Sequence, residues 1–181
     1  MKKLSLILSF IIISTSISAE NEISLKNLEN LAKQGNFAAQ IELANSYRKG
    51  IRVTQDYKTA VKWYTLAAEQ GDAVSQYNLG IMYSFGLGVY PDYKPAVKWY
   101  TMAAEQGNRL AQYNLGRLHY LGKGVPENLV YAHMWANQAS STGFDLASEL
   151  TELLTELMTV SQIEEATRLG NECVIKKFNG C

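Results

Sequence analysis

The sequence predicts an all-α fold, a right-handed α-solenoid of antiparallel helix hairpins with a C-terminal helical cap. Three observations predict it. The sixteen residues from Asp56 to Gly71 return as Asp92 to Gly107, with only Thr59 changed to Pro95 and Leu66 to Met102. Gly35, Gly71, Gly107 and Gly143 then fall 36 residues apart, as do Trp63, Trp99 and Trp135. A fixed period of this length marks stacked supersecondary units. Within one period, Ala60, Trp63, Tyr64 and Ala67 sit at i, i+3, i+4 and i+7, the stripe of a helix.

The chain opens with a stretch that reads as a secretory leader over residues 1–19. Lys2 and Lys3 precede an apolar run from Leu4 to Ile13, and small polar residues lead to Ala19. That reading makes the protein exported, either periplasmic or secreted, with no stable membrane insertion once the leader is removed. Residues 20–35 form an N-terminal capping helix with Ile23, Leu28 and Leu31 inward. Asn27 stands there in the register of Trp63, so this is a degenerate half-unit.

Three repeats follow, over residues 36–71, 72–107 and 108–143. In each, a first helix (Phe37 to Lys49 in repeat one) ends at glycine, and a turn leads to the second helix. Asp56, Asp92 and Asn128 are the N-cap candidates of the second helices. Gly71 and its copies end them, because glycine accepts the left-handed conformation. Pro91 and Pro126 stop the turns from continuing as helix. Pro95 occupies a first helical turn, where a missing N–H costs little. The turn of repeat one places Arg52 where Gly88 and Gly124 stand. Either Arg52 accepts positive φ, at about 1 kcal/mol of strain, or that turn has another shape.

Residues 144–181 are the C-terminal cap. Leu146, Leu150, Leu153, Leu154 and Leu157 make one helical stripe. Thr159 and Gln162 match a capping box, and a last helix turns Ile163, Ala166, Leu169, Cys173 and Val174 inward.

Charge excludes some functions. The 181 residues carry 17 basic and 17 acidic side chains. Without Lys2 and Lys3 the balance is 15 against 17. Such a surface offers no electrostatic case for nucleic acid or an anionic membrane. Catalytic signals are missing too. There is no Gly-x-Ser-x-Gly, the Gly86-x-Gly88 pair lacks the rest of a phosphate loop, and Glu164 and Glu165 diverge on a helix. His119 and His133 stand in the registers of Tyr83 and Val97 and read as repeat drift, without ligands at metal spacing. No cofactor is implied.

Trp63, Tyr64, Trp99, Tyr100 and Trp135 read as core packing, since they share a stripe with the small alanines. Gln40, Gln76 and Gln112 lie on an apolar stripe, so each amide needs a backbone partner, which the turn of the adjacent unit can supply. Cys173 and Cys181 are either a disulfide pinning the chain end or two free thiols, and export favours the bond.

Ala111-Gln112-Tyr113-Asn114-Leu115-Gly116, the Gly-x-Gly-Val turn, and the Asp92-Tyr93-x-x-Ala96-x-x-Trp99-x-x-x-Ala103-Ala104-x-x-Gly107 pattern resemble the Sel-one-like repeat, a relative of the tetratricopeptide repeat with a longer turn. The resemblance spans about residues 36 to 143. It implies an interaction scaffold whose partner is a protein or peptide. By analogy with tetratricopeptide repeats, the first helices line a concave groove. Repeat one would offer Ile41, Asn45 and Arg48 to it. Repeat two would offer Tyr77, Asn78, Ile81 and Ser84, and repeat three Tyr113, Asn114, Arg117 and Tyr120. Asn78 and Asn114 match a groove asparagine of the related repeat, which Glu42 replaces in repeat one. Two competing expectations follow from the resemblance. Cysteine-rich exported members have been described as penicillin-binding β-lactamases, but this chain lacks their cysteine pair in every repeat. A purely structural spacer in an envelope complex is the other.

Overall fold

A computed structural model describes residues 24–176 and Gly180. Among the described residues there are nine helices and no strand. The leader (residues 1–19), Ile23 and Cys181 lie outside them.

The chain divides into two compact units, to Trp63 and from Tyr64. In the first, α1 (24–33) and α2 (Phe37–Lys49) build a small core of Ala32, Ala39 and Leu43. Leu25, Leu28, Tyr47 and Trp63 pack around it. Leu31, expected inward, is 47% exposed. The turn of the helix explains this: Leu25, Leu28 and Ala32 share a face, and Leu31 falls to its side.

α3 (Tyr57–Glu69) crosses the division. The second unit continues with α4 (Ala73–Phe85), α5 (Tyr93–Ala104), α6 (Arg109–Leu121), α7 (Leu129–Ser140), α8 (Asp145–Leu157) and α9 (Val160–Ile175). From α4 to α8 neighbours pack in chain order, as in a solenoid, and α9 packs on α7. The core runs from Ala96, Tyr100 and Leu115 through Trp135 to Leu154 and Cys173. Small residues set the helix spacing. A Cβ on Gly116 would stand 2.9 Å from the Ala132 carbonyl oxygen, so α6 and α7 meet there backbone to backbone.

Two kinds of joint connect the helices. After α1, α3 and α5 the joint is as short as a chain allows. Gly71 N donates to Ala68 O and Asp72 N to Ala67 O, a Schellman ending that recurs at Gly35–Asn36 and Gly107–Asn108. The residue that closes it is already the next N-cap: Asn36, Asp72 and Asn108 accept from Ala39 N, Ser75 N and Ala111 N. The buried glutamines complete it. Gln40, Gln76 and Gln112 Nε2 donate to Ala32, Ala68 and Ala104 carbonyls at 3.1, 3.0 and 3.2 Å, the backbone role expected of them.

The longer joints begin at Gly50, Gly86 and Gly122, all left-handed. They close through Asp56 N, Asp92 N and Asn128 N, which donate to Tyr47, Tyr83 and His119 carbonyls. Arg52 takes φ 65° beside φ 76° and 77° at Gly88 and Gly124, so the turn keeps its shape and arginine adopts the glycine conformation.

Two expectations about the packing need correction. Trp135 is buried, 2% exposed, but Trp63 and Trp99 are only half-buried. The centre of that stripe is Tyr64, Ala67 and Ala68, with the tryptophan on its flank; in repeat three α8 and α9 cover the flank. At the chain end Val174 is 50% exposed, and Gly170 takes the inward place beside Gln138. The Thr159–Gln162 capping box is present.

Candidate binding face

The exposed face of the first helices follows from helix phase. In α4 the buried side chains are Ser75, Gln76, Leu79, Gly80 and Met82. The opposite stripe is Val74, Asn78, Ile81 and Phe85, at i, i+4, i+7 and i+11. One repeat on it is Leu110, Asn114, Arg117 and Leu121. Val74 and Phe85 are 52% and 73% exposed, and Leu110 and Leu121 36% and 46%.

This stripe overlaps the sequence expectation only in part. Asn78, Ile81, Asn114 and Arg117 lie on it. Tyr77, Ser84, Tyr113 and Tyr120 lie on its flank, half-buried. Tyr77 packs on Tyr100 with ring centroids 6.0 Å apart, and Tyr113 meets Phe144 edge-on at 5.3 Å. Val74, Phe85, Leu110 and Leu121 were absent from the expected set. The signal for them was available in the 3.6-residue phase, once the buried side was fixed on Leu79 and Gly80.

A cavity of about 240 Å³ opens on this face between α4 and α6. Its floor is Tyr93 and Tyr100 of α5. Its walls include Ser84, Phe85, Asn114, Arg117 and Leu121, with Lys123 at the turn. Two glycines shape it. A Cβ on Gly80 would stand 2.4 Å from the Tyr100 ring, so glycine lets that ring lie flat on α4. A Cβ on Gly124, itself at φ +77°, would stand 2.5 Å from the Tyr93 backbone. The turn therefore sits directly on α5 and holds Lys123 Nζ 5.2 Å above the Tyr93 ring. Arg117 lies 5.7 Å over Tyr113.

The electrostatics are one-sided. Neither Arg117 nor Lys123 has a carboxylate partner among the described residues, and no acid lines the cavity. Burial pushes the Tyr100 phenol up to about 12, so it stays a neutral hydroxyl. Ser84 Oγ, buried beside the phenol, opposes that shift. Burial also raises Tyr77, against the hydrogen bond from Asn114.

In the first unit, Ile41 and Asn45 line a separate depression of about 570 Å³ with Phe37, Glu42, Lys49 and Arg52. Arg48 is not among its lining residues. Glu42 and Arg52 pair there at 2.8 Å, so it carries its own counter-charge. Among the described residues no group of three or more histidine, cysteine or acidic side chains could hold a metal. No described helix is long and apolar enough to cross a membrane. Cys173 is buried at 2% exposure.

Residues 37–72, 73–108 and 109–144 each match the Sel1 repeat. The chain belongs to the Sel1 repeat family. Sel1 repeats are generally non-catalytic scaffolds for protein interaction. Solved Sel1 structures are similar to this chain. A Sel1 repeat protein from Oxalobacter formigenes is 36% identical with a TM-score of 0.64, over 71% of this chain and 97% of that one. A protective antigen of uropathogenic Escherichia coli strains, displaying the same repeat fold, is 30% identical with a TM-score of 0.56. That match covers 85% of this chain and 41% of the antigen. No curated protein matches.

Proposed function

We propose that this Sel1 repeat chain is an exported, non-catalytic scaffold that binds a protein or peptide through the exposed face of α4 and α6. One observation carries the proposal. The small cavity between these helices joins exposed apolar side chains to two cations without counter-ions. At about 240 Å³ it falls below the usual range of small-molecule pockets, which begins at roughly 300 Å³. It suits one anchoring side chain of a larger partner. Export rests on the leader over residues 1–19, with the mature chain periplasmic or secreted. A Cys173–Cys181 disulfide belongs to the same proposal, with Cys173 buried in the core.

The test is capture of partners by the full chain in its native host. The Phe85→Asp, Leu121→Asp variant keeps the buried stripe and removes the apolar rim. Loss of a reproducible partner, with the helical circular dichroism unchanged, supports the proposal. Equal capture by both proteins refutes it.

A further inference from the structure

The face just described continues beyond the third repeat. α8 runs from Asp145 to Leu157, and α6 from Arg109 to Leu121. Each end is displaced by one full period, so the cap begins as a fourth first helix. Advancing the α6 stripe by that period gives Leu146, Leu150, Leu153 and Leu157. The asparagine and arginine of α6 have both become leucine. Leu146, Leu153 and Leu157 are 50%, 43% and 52% exposed, while Leu150 is 9% exposed. α6 packs against α4 on one side and α8 on the other. Phe85, Leu121 and Leu157 therefore form a row of exposed apolar side chains at the ends of three successive first helices. The two unpaired cations stand beside the middle of that row.

A row of this kind is unusual on a soluble surface and marks a contact site. Its charge selects the occupant. Arg117 and Lys123 project from a rim that offers no carboxylate, while the α8 side is apolar throughout its stripe. We infer that the partner is an acidic amphipathic segment, which places one carboxylate between Arg117 and Lys123 and lays its apolar side chains on Leu153 and Leu157. The inference rests on the reading of this face as the binding surface. It adds polarity: the acid lies over α6, and the apolar part lies over α8. The carboxylate is that of an aspartate or glutamate side chain.

The test pans two random peptide libraries on the full chain, one displayed with free C-termini and one displayed internally. Recovered peptides are then titrated by fluorescence anisotropy. Enrichment of an acidic residue beside leucine, isoleucine or phenylalanine is expected from the internal library if a side chain binds. Enrichment confined to free C-termini overturns the side-chain assignment. Arg117→Glu with Lys123→Glu should weaken these peptides at least about tenfold, and their affinity in the native chain should fall with salt. Leu153→Asn with Leu157→Asn should weaken them while leaving the salt dependence in place. Peptides that bind without acid enrichment, or that ignore the charge reversal, overturn the inference but leave the binding face intact. Recovery of no peptide from either library overturns both.

Discussion

The Arg52 guanidinium donates to the Glu42 carboxylate at 2.8 Å, and both residues are departures from the repeat. The other repeats have Asn78 and Asn114 in place of Glu42, and Gly88 and Gly124 in place of Arg52. The two departures meet on the surface, 52% and 49% exposed, where a pair contributes little. The strain at φ 65° is the larger effect, at about 1 kcal/mol. Arg52→Gly should therefore stabilise the protein by about 0.5 kcal/mol, the strain relief less the lost pair. Urea melts measure it, and a loss exceeding the pair's own worth would show that Arg52 holds more than Glu42.

Gly116→Ala tests the closest helix contact. The added Cβ would meet the backbone of Ala132 and Ala136, which cannot swing aside as a side chain can. Overpacking of this kind costs about 1–3 kcal/mol, and this substitution should lie at the top of that range. Gly80→Ala meets the Tyr100 ring instead. It should cost less, but it should displace the cavity floor and change the near-UV circular dichroism.

The tryptophans should separate by burial. Trp135→Ala should cost about 3–5 kcal/mol, as for other buried aromatic truncations. Trp99→Ala, half-buried with Lys98 5.6 Å above its ring, should cost clearly less. Chemical denaturation of both variants decides it, and equal losses would put Trp99 in the core.

Acid should loosen the C-terminal part of the fold. Thr155 Oγ1 donates to Thr151 O, so His133 Nε2 must carry the proton that bonds Thr155 at 3.1 Å. That leaves His133 Nδ1 a buried acceptor without a partner. Burial lowers the pKa of His133, and that of His119, below the ordinary histidine value. The unfolded chain then binds protons that the folded chain refuses. Stability should be full above about pH 6.5 and should fall as pH drops below it, before the carboxylates titrate. His133→Val, which restores the residue of Val97, should flatten the thermal-melting profile between about pH 6.5 and 5.

The helices and their joints were legible because their signals are local. Asp92 and Asn128 cap helices, Gly71 ends one, and the period repeats both. The buried glutamines could also be read, since an amide on an apolar stripe has few other uses. Orientation was harder. Tyr77 and Trp99 sit on the flanks of their stripes, roughly 70° and 90° from the centres, and residue type alone pulls the first outward and the second inward. The binding face was therefore read one flank away from Val74 and Phe85. The α8 register was hidden for a different reason. Its helix keeps the period, but leucines replace the polar residues by which the repeat is recognised.

The short joints have a consequence for how such a chain changes over generations. Gly71 closes one helix and Asp72 opens the next, with Gln76 tied back to Ala68 across the seam. No residue there is spare. One residue gained or lost would unseat the cap, the glycine and the glutamine together, whereas the longer loop from Gly86 to Pro91 has slack to absorb it. Lineages of this protein should thus lengthen or shorten by copying or deleting whole units cut at these seams. Piecemeal insertions should collect in the loops opposite.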